Sequence, residues 1–295
     1  MDQKHIAVLV NPAAGKGRAR SIAEKVAVKL RTAGVQMELY YTQWPQSLTD
    51  FTDVFLIGGD GTLNYFINSY RDCILPVALI PAGSGNDFAW KLNGKKTWEE
   101  SFEIAMNGTI MAVDAGTCNG KFFINGVGIG FDGQVVKNMG RKRFISASHL
   151  AYLLTVLREI LFFQSVRLMV DWDESQEVFK VFMISIANGS RYGGGFLVAP
   201  QASITDGLLE LVTIKELGVL SRLKHLPAME KGKHLHLPFM QNAVCKKVLI
   251  KSDHVLPAHL DGELMEASEF DIRILVAHFR FRCMKINQVD QSIRP

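Results

Sequence analysis

Gly58-Gly59-Asp60-Gly61-Thr62 sets three glycines around one carboxylate, directly after the apolar run Val54-Phe55-Leu56-Ile57. The apolar run reads as a buried strand, and Leu63–Tyr70 continues in helix-compatible sequence. A strand that ends in a glycine-rich turn before a helix can cradle phosphate. Glycine lets the backbone come close to an anion, and the helix N-terminus adds unpaired N–H groups and a partial positive charge. Asp60 does not fit a bare cradle, because a carboxylate repels phosphate unless it handles a metal ion or a proton. The competing reading is a tight turn in which Asp60 is the helix N-cap.

The elements that must position this turn are legible on both sides of it. Ile6-Ala7-Val8-Leu9-Val10 is a continuous apolar strand, followed by the loop Asn11-Pro12-Ala13-Ala14-Gly15-Lys16-Gly17. That loop lacks the Gly-Lys-Ser/Thr ending of a Walker motif. A helix is expected over Arg18–Ala33, with Ile22, Val26 and Leu30 on one face and Gly34 just past its end. Val35–Tyr41 is a second strand that ends at Thr42, and Pro76–Ile80 is a fourth. The fourth runs into Pro81-Ala82-Gly83-Ser84-Gly85-Asn86-Asp87, a second Gly/Ser/Asn loop opening a helix. Strands alternating with helices imply a parallel sheet whose ligands bind at the carboxyl ends of the strands. The three loops are therefore expected along one sheet edge, with Thr42 beside them.

The pattern changes near Asp114. Short strands are expected at Lys121–Val127, Val166–Asp171, Val178–Ala187, Gly195–Val198, Leu208–Ile214, Ala243–Lys251 and Phe270–Phe281. Asn119-Gly120 reads as a hairpin turn, and helices are expected near Phe144–Phe163 and Leu217–Glu230. The fold class is thus α/β: a Rossmann-like nucleotide domain over residues 1–118 and a β-rich, sandwich-like domain over 119–282. The tail from about residue 283 to 295 is expected to fray or to pack back on the first domain.

At 295 residues, the chain is long enough for two cores. A hydrophobic fraction of 48% and a net charge of +4 suit a globular protein; the charge is too mild to announce nucleic-acid binding but suits a nucleotide or an anionic membrane face. The four cysteines have no ligand-like spacing, which argues against a disulfide framework or a zinc site. Met1–His5 runs straight into a strand, and no apolar run reaches about 18 residues, so a cytoplasmic protein without a signal peptide is expected. Gly128-Ile129-Gly130-Phe131-Asp132-Gly133 matches G-x-G-x-x-G but lies in the β-rich half without a β-α-β unit, and a dinucleotide site is rejected there. His234 and His236 lack a third ligand and read as surface or core-edge residues. Arg141-Lys142-Arg143 with Phe144-Ile145 reads as the solvated start of a core helix, the rival being an interfacial anchor.

The three loops together resemble the diacylglycerol kinase catalytic family, specifically its soluble bacterial lipid kinases. The likeness continues through Phe123-Ile124-Asn125-Gly126-Val127-Gly128, Gly193-Gly194-Gly195, Thr205-Asp206-Gly207-Leu208-Leu209 and Leu260-Asp261-Gly262-Glu263, and it spans nearly the whole chain in family order. The resemblance implies an ATP-dependent kinase that phosphorylates a lipid hydroxyl, diacylglycerol by default, giving phosphatidic acid, with the active site in the cleft between two domains. It implies ATP contacts from Asn11, Pro12, Ala13, Ala14, Gly15, Thr42, Gly58, Gly59, Asp60, Gly61, Thr62 and Ser84. It implies a structural Mg²⁺ held by the Asp206 carboxylate with the Ser203 and Leu208 carbonyls, a general base at Glu263, and acidic positions at Asp60, Asp87 and Asp114 around the site. Asp60 would organise a catalytic Mg²⁺ through water or be the base itself; Lys16 or Arg18 would add positive charge. Peripheral contact with the inner membrane face and a homodimer by family habit follow from the same likeness, and the mild net charge leaves no nucleic-acid partner expected. Two departures stand just beyond the loops: Tyr65 where the family usually has Glu, and Trp90 where it usually has Arg. The rival readings are an NAD kinase-like phosphotransferase and a catalytically idle nucleotide- or lipid-binding regulator.

Overall fold

The computed structural model describes residues 4–141 and 149–284. They fall into two units, Met1–Val113 with His278–Pro295, and Asp114–Ala277. By the sequence reading the two domains are 1–118 and 119–282.

The first unit opens with β1 (His5–Val10), α1 (Arg18–Thr32), β2 (Gln36–Tyr40), β3 (Asp53–Gly58), α2 (Asp60–Ser69), β4 (Pro76–Pro81), α3 (Asp87–Asn93) and α4 (Trp98–Asn107). The strands pair in parallel in the order β2-β1-β3-β4. Ile6 to Val10 and the whole of β3 are buried, which is why both segments read as unbroken apolar runs rather than as alternations. α1 lays Ala19, Ile22, Ala23, Val26 and Leu30 against the sheet, and Phe55 and Phe102 meet edge-on in the same core. β2 lies on one side of β1 and β3 on the other, so the chain changes direction between β1 and β3. In open parallel sheets that is where ligands bind.

Residues 280–281 add a further parallel strand beside β4. Arg282 fastens it through a buried ion pair to Asp53 and a 3.2 Å hydrogen bond to the Gly108 carbonyl. The described residues 278–284 thus belong to the first unit, and residues 285–295 lie outside the described residues.

β5 (Thr109–Cys118) carries the chain into the second unit, which continues with β6 (Lys121–Phe123), β7 (Gly126–Gly130), α5 (Phe131–Arg141), α6 (His149–Phe162), β8 (Val166–Trp172), β9 (Ser175–Ala187), β10 (Leu209–Lys215), α7 (Val219–Glu230), β11 (Met240–Cys245), β12 (Lys247–Leu260) and β13 (Glu263–Cys283), whose residues from His278 onward belong to the first unit. Pairing here is antiparallel. β7 and β8 both bridge β9 and β12, while β10 and β11 extend from β9. Asn119 and Gly120 form the expected hairpin turn, with φ of 48° and 77°. A core of Phe123, Val127, Ile129, Leu168, Phe270 and Ile272, among others, fills the sheet interior.

Four expectations are corrected. Lys121–Val127 is two strands, because the N–H groups of Ile124 and Asn125 turn to the Asp261 carboxylate. Gly195–Val198 is no strand: only Tyr192 and Phe196 pair, and Gly193 to Gly195 take positive φ. Ala243–Lys251 breaks at Lys246, whose N–H donates to Asp173. A helix absent from the sequence reading, α5, follows β7 directly; the flanking strands are antiparallel to β7, so the segment is still no dinucleotide-binding unit. His234 is fully buried with Nε2 on the Val198 carbonyl, a core role. Of the basic run at 141–145, residues 142–145 and the Arg141 side chain lie outside what the structure describes.

Candidate active site

The loops after β1, β3 and β4 leave neighbouring strands and are cross-braced. Asn11 Nδ2 donates to Thr62 Oγ1 at 3.1 Å, and the same oxygen accepts the Gly59 N–H at 3.3 Å. The Ala82 and Gly83 N–H groups both donate to the Gly58 carbonyl, at 2.7 and 3.2 Å. Gly59 and Gly83 face each other so closely that a Cβ on Gly83 would lie 2.6 Å from the Gly59 Cα. Gly15 has φ of +62°, and a Cβ there would collide with the Ala82 carbonyl. Across the same gap Arg18 Nη2 donates to the Ala82 and Gly83 carbonyls at 3.0 and 2.9 Å. Asn86, in the left-handed region at φ 56°, closes the third loop with both side-chain atoms on Gly83.

Asp60 is the first residue of α2; the cap position belongs to Gly59, which has no side chain to offer. The reading of Asp60 as N-cap is therefore replaced. Its Oδ1 accepts the Phe88 N–H at 3.2 Å, so the carboxylate ties the second loop to the start of α3. Gly58, Gly59, Asp60, Asn86 and Ala89 line an open depression there. Pro12, Ala13 and Ala14 lie on the first loop, Gly61 is the second residue of α2, Ser84 is exposed on the third loop, and Thr42 is exposed two residues past β2. Of the departures, Tyr65 is exposed and meets Trp44 edge-on at 5.1 Å, and Trp90 is half-exposed on α3.

The other candidates belong to the second unit. Glu263 is exposed and opens β13 after a turn in which Asp261 and Gly262 take φ of 49° and 88°. The Asp261 carboxylate accepts three backbone N–H groups, from Ile124, Asn125 and Gly126, at 2.7 to 2.9 Å. Asp206 is exposed in a turn where its Oδ1 accepts the Leu208 N–H at 3.1 Å, and the Ser203 and Thr205 hydroxyls lie 3.4 Å apart beside it. Burial pushes the nearby Glu210 carboxyl up, and the charge of Asp206 adds to the push. Among the described residues no three His, Cys, Asp or Glu cluster to hold a metal. One carboxylate with turn carbonyls is instead a hard-oxygen set of the kind Mg²⁺ accepts.

Asp114 sits under this turn, 1% exposed, its oxygens accepting the Gly207 N–H at 2.7 Å and the Ala277 N–H at 2.6 Å. The anchoring roles of Asp114 and Asp261 were missed in the sequence, where both read as members of acidic motifs; the only local signal was the Asp-Gly pair after Leu260.

Residues 5–118 match the model of the diacylglycerol kinase catalytic domain, and residues 125–279 match that of the YegS C-terminal NAD kinase beta sandwich-like domain. The chain belongs to the diacylglycerol kinase family. It is a lipid kinase, and its curated relatives carry that activity in their names. A protein of Chromohalobacter salexigens named "Probable lipid kinase YegS-like" is 29% identical over 212 residues, 70% of this kinase and 68% of the relative. The diacylglycerol kinase of Bacillus subtilis is 23% identical, with 88% and 90% covered. In fold, a crystal structure of a diacylglycerol kinase from Bacillus anthracis superposes with a TM-score of 0.72 at 19% identity, covering 95% of this kinase and 97% of that chain. An NAD kinase from Archaeoglobus fulgidus in complex with ATP gives 0.54 at 14%, with 94% and 93% covered. No described helix of this lipid kinase is long and apolar enough to cross a membrane.

Proposed function

We propose that this lipid kinase transfers the γ-phosphate of ATP to the hydroxyl of a membrane lipid, with diacylglycerol as the first acceptor to test and phosphatidic acid as the product. The observation that carries the reading is the cross-braced rim: three loops, locked to one another by Asn11, Thr62, Arg18 and the Gly58 carbonyl, beside the N-terminus of α2. Phosphoryl transfer demands positioning and charge neutralisation more than covalent chemistry. The loops at Asn11–Gly15 and Gly58–Thr62, together with the positive N-terminus of α2, hold the phosphate oxygens, with Ser84 and Thr42 at the edges. Glu263, exposed and held at the end of a tight turn, takes the proton of the attacking hydroxyl. Asp60 keeps the second loop in register with α3 and lines the depression.

Mg²⁺ supplies charge neutralisation when bound. A second, structural Mg²⁺ is assigned to the Asp206 carboxylate with the Ser203 and Leu208 carbonyls, where the donor chemistry suits it. The outward side chains of α6, Leu154, Leu157, Leu161 and Phe162, support peripheral contact with a lipid surface. Incubation with labelled ATP, Mg²⁺ and a total lipid extract, followed by mass analysis of the organic phase, tests the reading. A labelled phospholipid is expected. A labelled NADP in its place would favour the second reading, an NAD kinase-like transferase, to which the fold likeness to the archaeal NAD kinase lends support.

A further inference from the structure

The glycine string at 128–133 starts in β7, between antiparallel strands, and runs into α5. Behind the turn that carries Glu263 lies a polar chain inside the second unit. The Tyr192 hydroxyl donates to Asp132 Oδ2 at 2.8 Å. The same oxygen lies 3.7 Å from His259 Nε2, and His259 Nδ1 accepts the Gly262 N–H at 3.3 Å. His259 is 4% exposed, and the Tyr192 ring stands edge-on to it at 5.0 Å. The chain passes over Gly128, where a Cβ would meet both His259 Nε2 and the Asp132 carboxylate. Only glycine admits the histidine and the aspartate side by side.

We propose that Tyr192, Asp132 and His259 are positioning residues for Glu263, holding the Gly262 N–H through a histidine of fixed tautomer. An N–H that donates to Nδ1 needs the lone pair there, so the ring proton sits on Nε2, facing the Asp132 carboxylate. Glu263 is exposed, so its direction is set by the turn before it. That turn is gripped at two points: the Asp261 carboxylate on the strand connection at 124–126, and the Gly262 N–H on His259. The first grip was open to reading as an Asp-Gly turn; the second joins residues from three separate elements. The inference rests on the proposed role of Glu263 as base. It predicts that loss of the His259 grip misaims the base and lowers turnover, without weakening nucleotide binding by the loops of the other unit.

Asparagine places its amide oxygen near the position of Nδ1, and glutamine places its amide near that of Nε2. Turnover of His259→Gln with labelled ATP and diacylglycerol-containing vesicles is expected to fall by about tenfold or more at unchanged KM for ATP. His259→Asn is expected to recover to within about threefold of the parent enzyme, since it keeps the acceptor. Tyr192→Phe, which removes one hydroxyl, is expected to lie between them. Full turnover in His259→Gln, equal losses in the Gln and Asn variants, or a loss confined to the KM for ATP would overturn the proposal. Nitrogen NMR of the imidazole in the full chain reads the tautomer independently of activity: an Nε2–H ring is expected, and an Nδ1–H ring sinks the positioning chain. A parent enzyme that makes no phospholipid refutes the kinase reading instead, and the tautomer then decides the positioning chain by itself.

Discussion

Asn11 and Thr62, 51 residues apart in the chain, are joined by a 3.1 Å hydrogen bond from the asparagine amide to the threonine hydroxyl. The bond fastens the loop after β1 to the loop after β3 at the point where the sheet changes direction. Thr62 is 3% exposed and also accepts the Gly59 N–H, so one buried hydroxyl serves two donors. Thr62→Val keeps the shape and removes the acceptor. Leaving these part-buried donors unpaired costs at most about 1–3 kcal/mol. The expected result is a rise of about tenfold in the KM for ATP, with the KM for lipid unchanged, measured by steady-state kinetics.

The two proposed acids separate by the kind of substitution that inactivates them. Glu263→Gln keeps the size of an exposed side chain and removes the base; phosphorylation of lipid is expected to fall below detection while the melting temperature stays at the parent value. Asp60→Asn keeps an oxygen for the Phe88 N–H and removes the charge. Activity is expected to fall by about a hundredfold or more, again with the fold intact by circular dichroism. Parent rates in either variant remove that residue from the chemistry.

Asp114 is a structural anchor by its contacts. Its substitution by alanine strands the buried Gly207 N–H, at about 1–3 kcal/mol, and removes the acceptor of the Ala277 N–H. Calorimetry is expected to show a loss of several degrees in melting temperature. The turn at 203–208, which Asp114 holds, is expected to become the first site of limited proteolysis in Asp114→Ala.

The Asp206 turn predicts a metal effect on stability. Chelation by EDTA is expected to lower the melting temperature of the parent enzyme, and added Mg²⁺ to restore it by mass action. Asp206→Ala is expected to melt at the chelated value and to ignore added Mg²⁺. Identical responses in the parent and the variant would remove the metal from this turn.

Burial pushes the thiols of Cys118 and Cys245 up to about 12 from an ordinary value near 9. The folded chain therefore keeps these protons between pH 9 and 12, where the unfolded chain releases them. Stability from this source is complete below about pH 9 and is lost as pH rises towards 12. Denaturant midpoints across that window are expected to fall more steeply for the parent than for Cys118→Ala, and neither thiol is expected to react with a soluble disulfide reagent in the folded protein at neutral pH.

The sequence by itself determined the two-part plan, the parallel strands of the first unit, the hairpin at Asn119-Gly120 and the presence of three glycine-bearing bends. Each is written in residues close together in the chain, in apolar runs, helical spacing and turn chemistry. Only the tertiary structure decided how the bends lock together, that Asp60 reaches Phe88, that Asp114 and Asp261 serve as acceptors for distant backbone N–H groups, and that α5 follows β7 directly, ahead of the expected helix near 144–163. Asp261 takes its partners from more than a hundred residues upstream, and Asp114 takes one from 163 residues downstream. Every buried N–H must find an acceptor, but which acceptor it finds depends on which strands come to lie side by side, and no stretch of neighbouring residues records that choice.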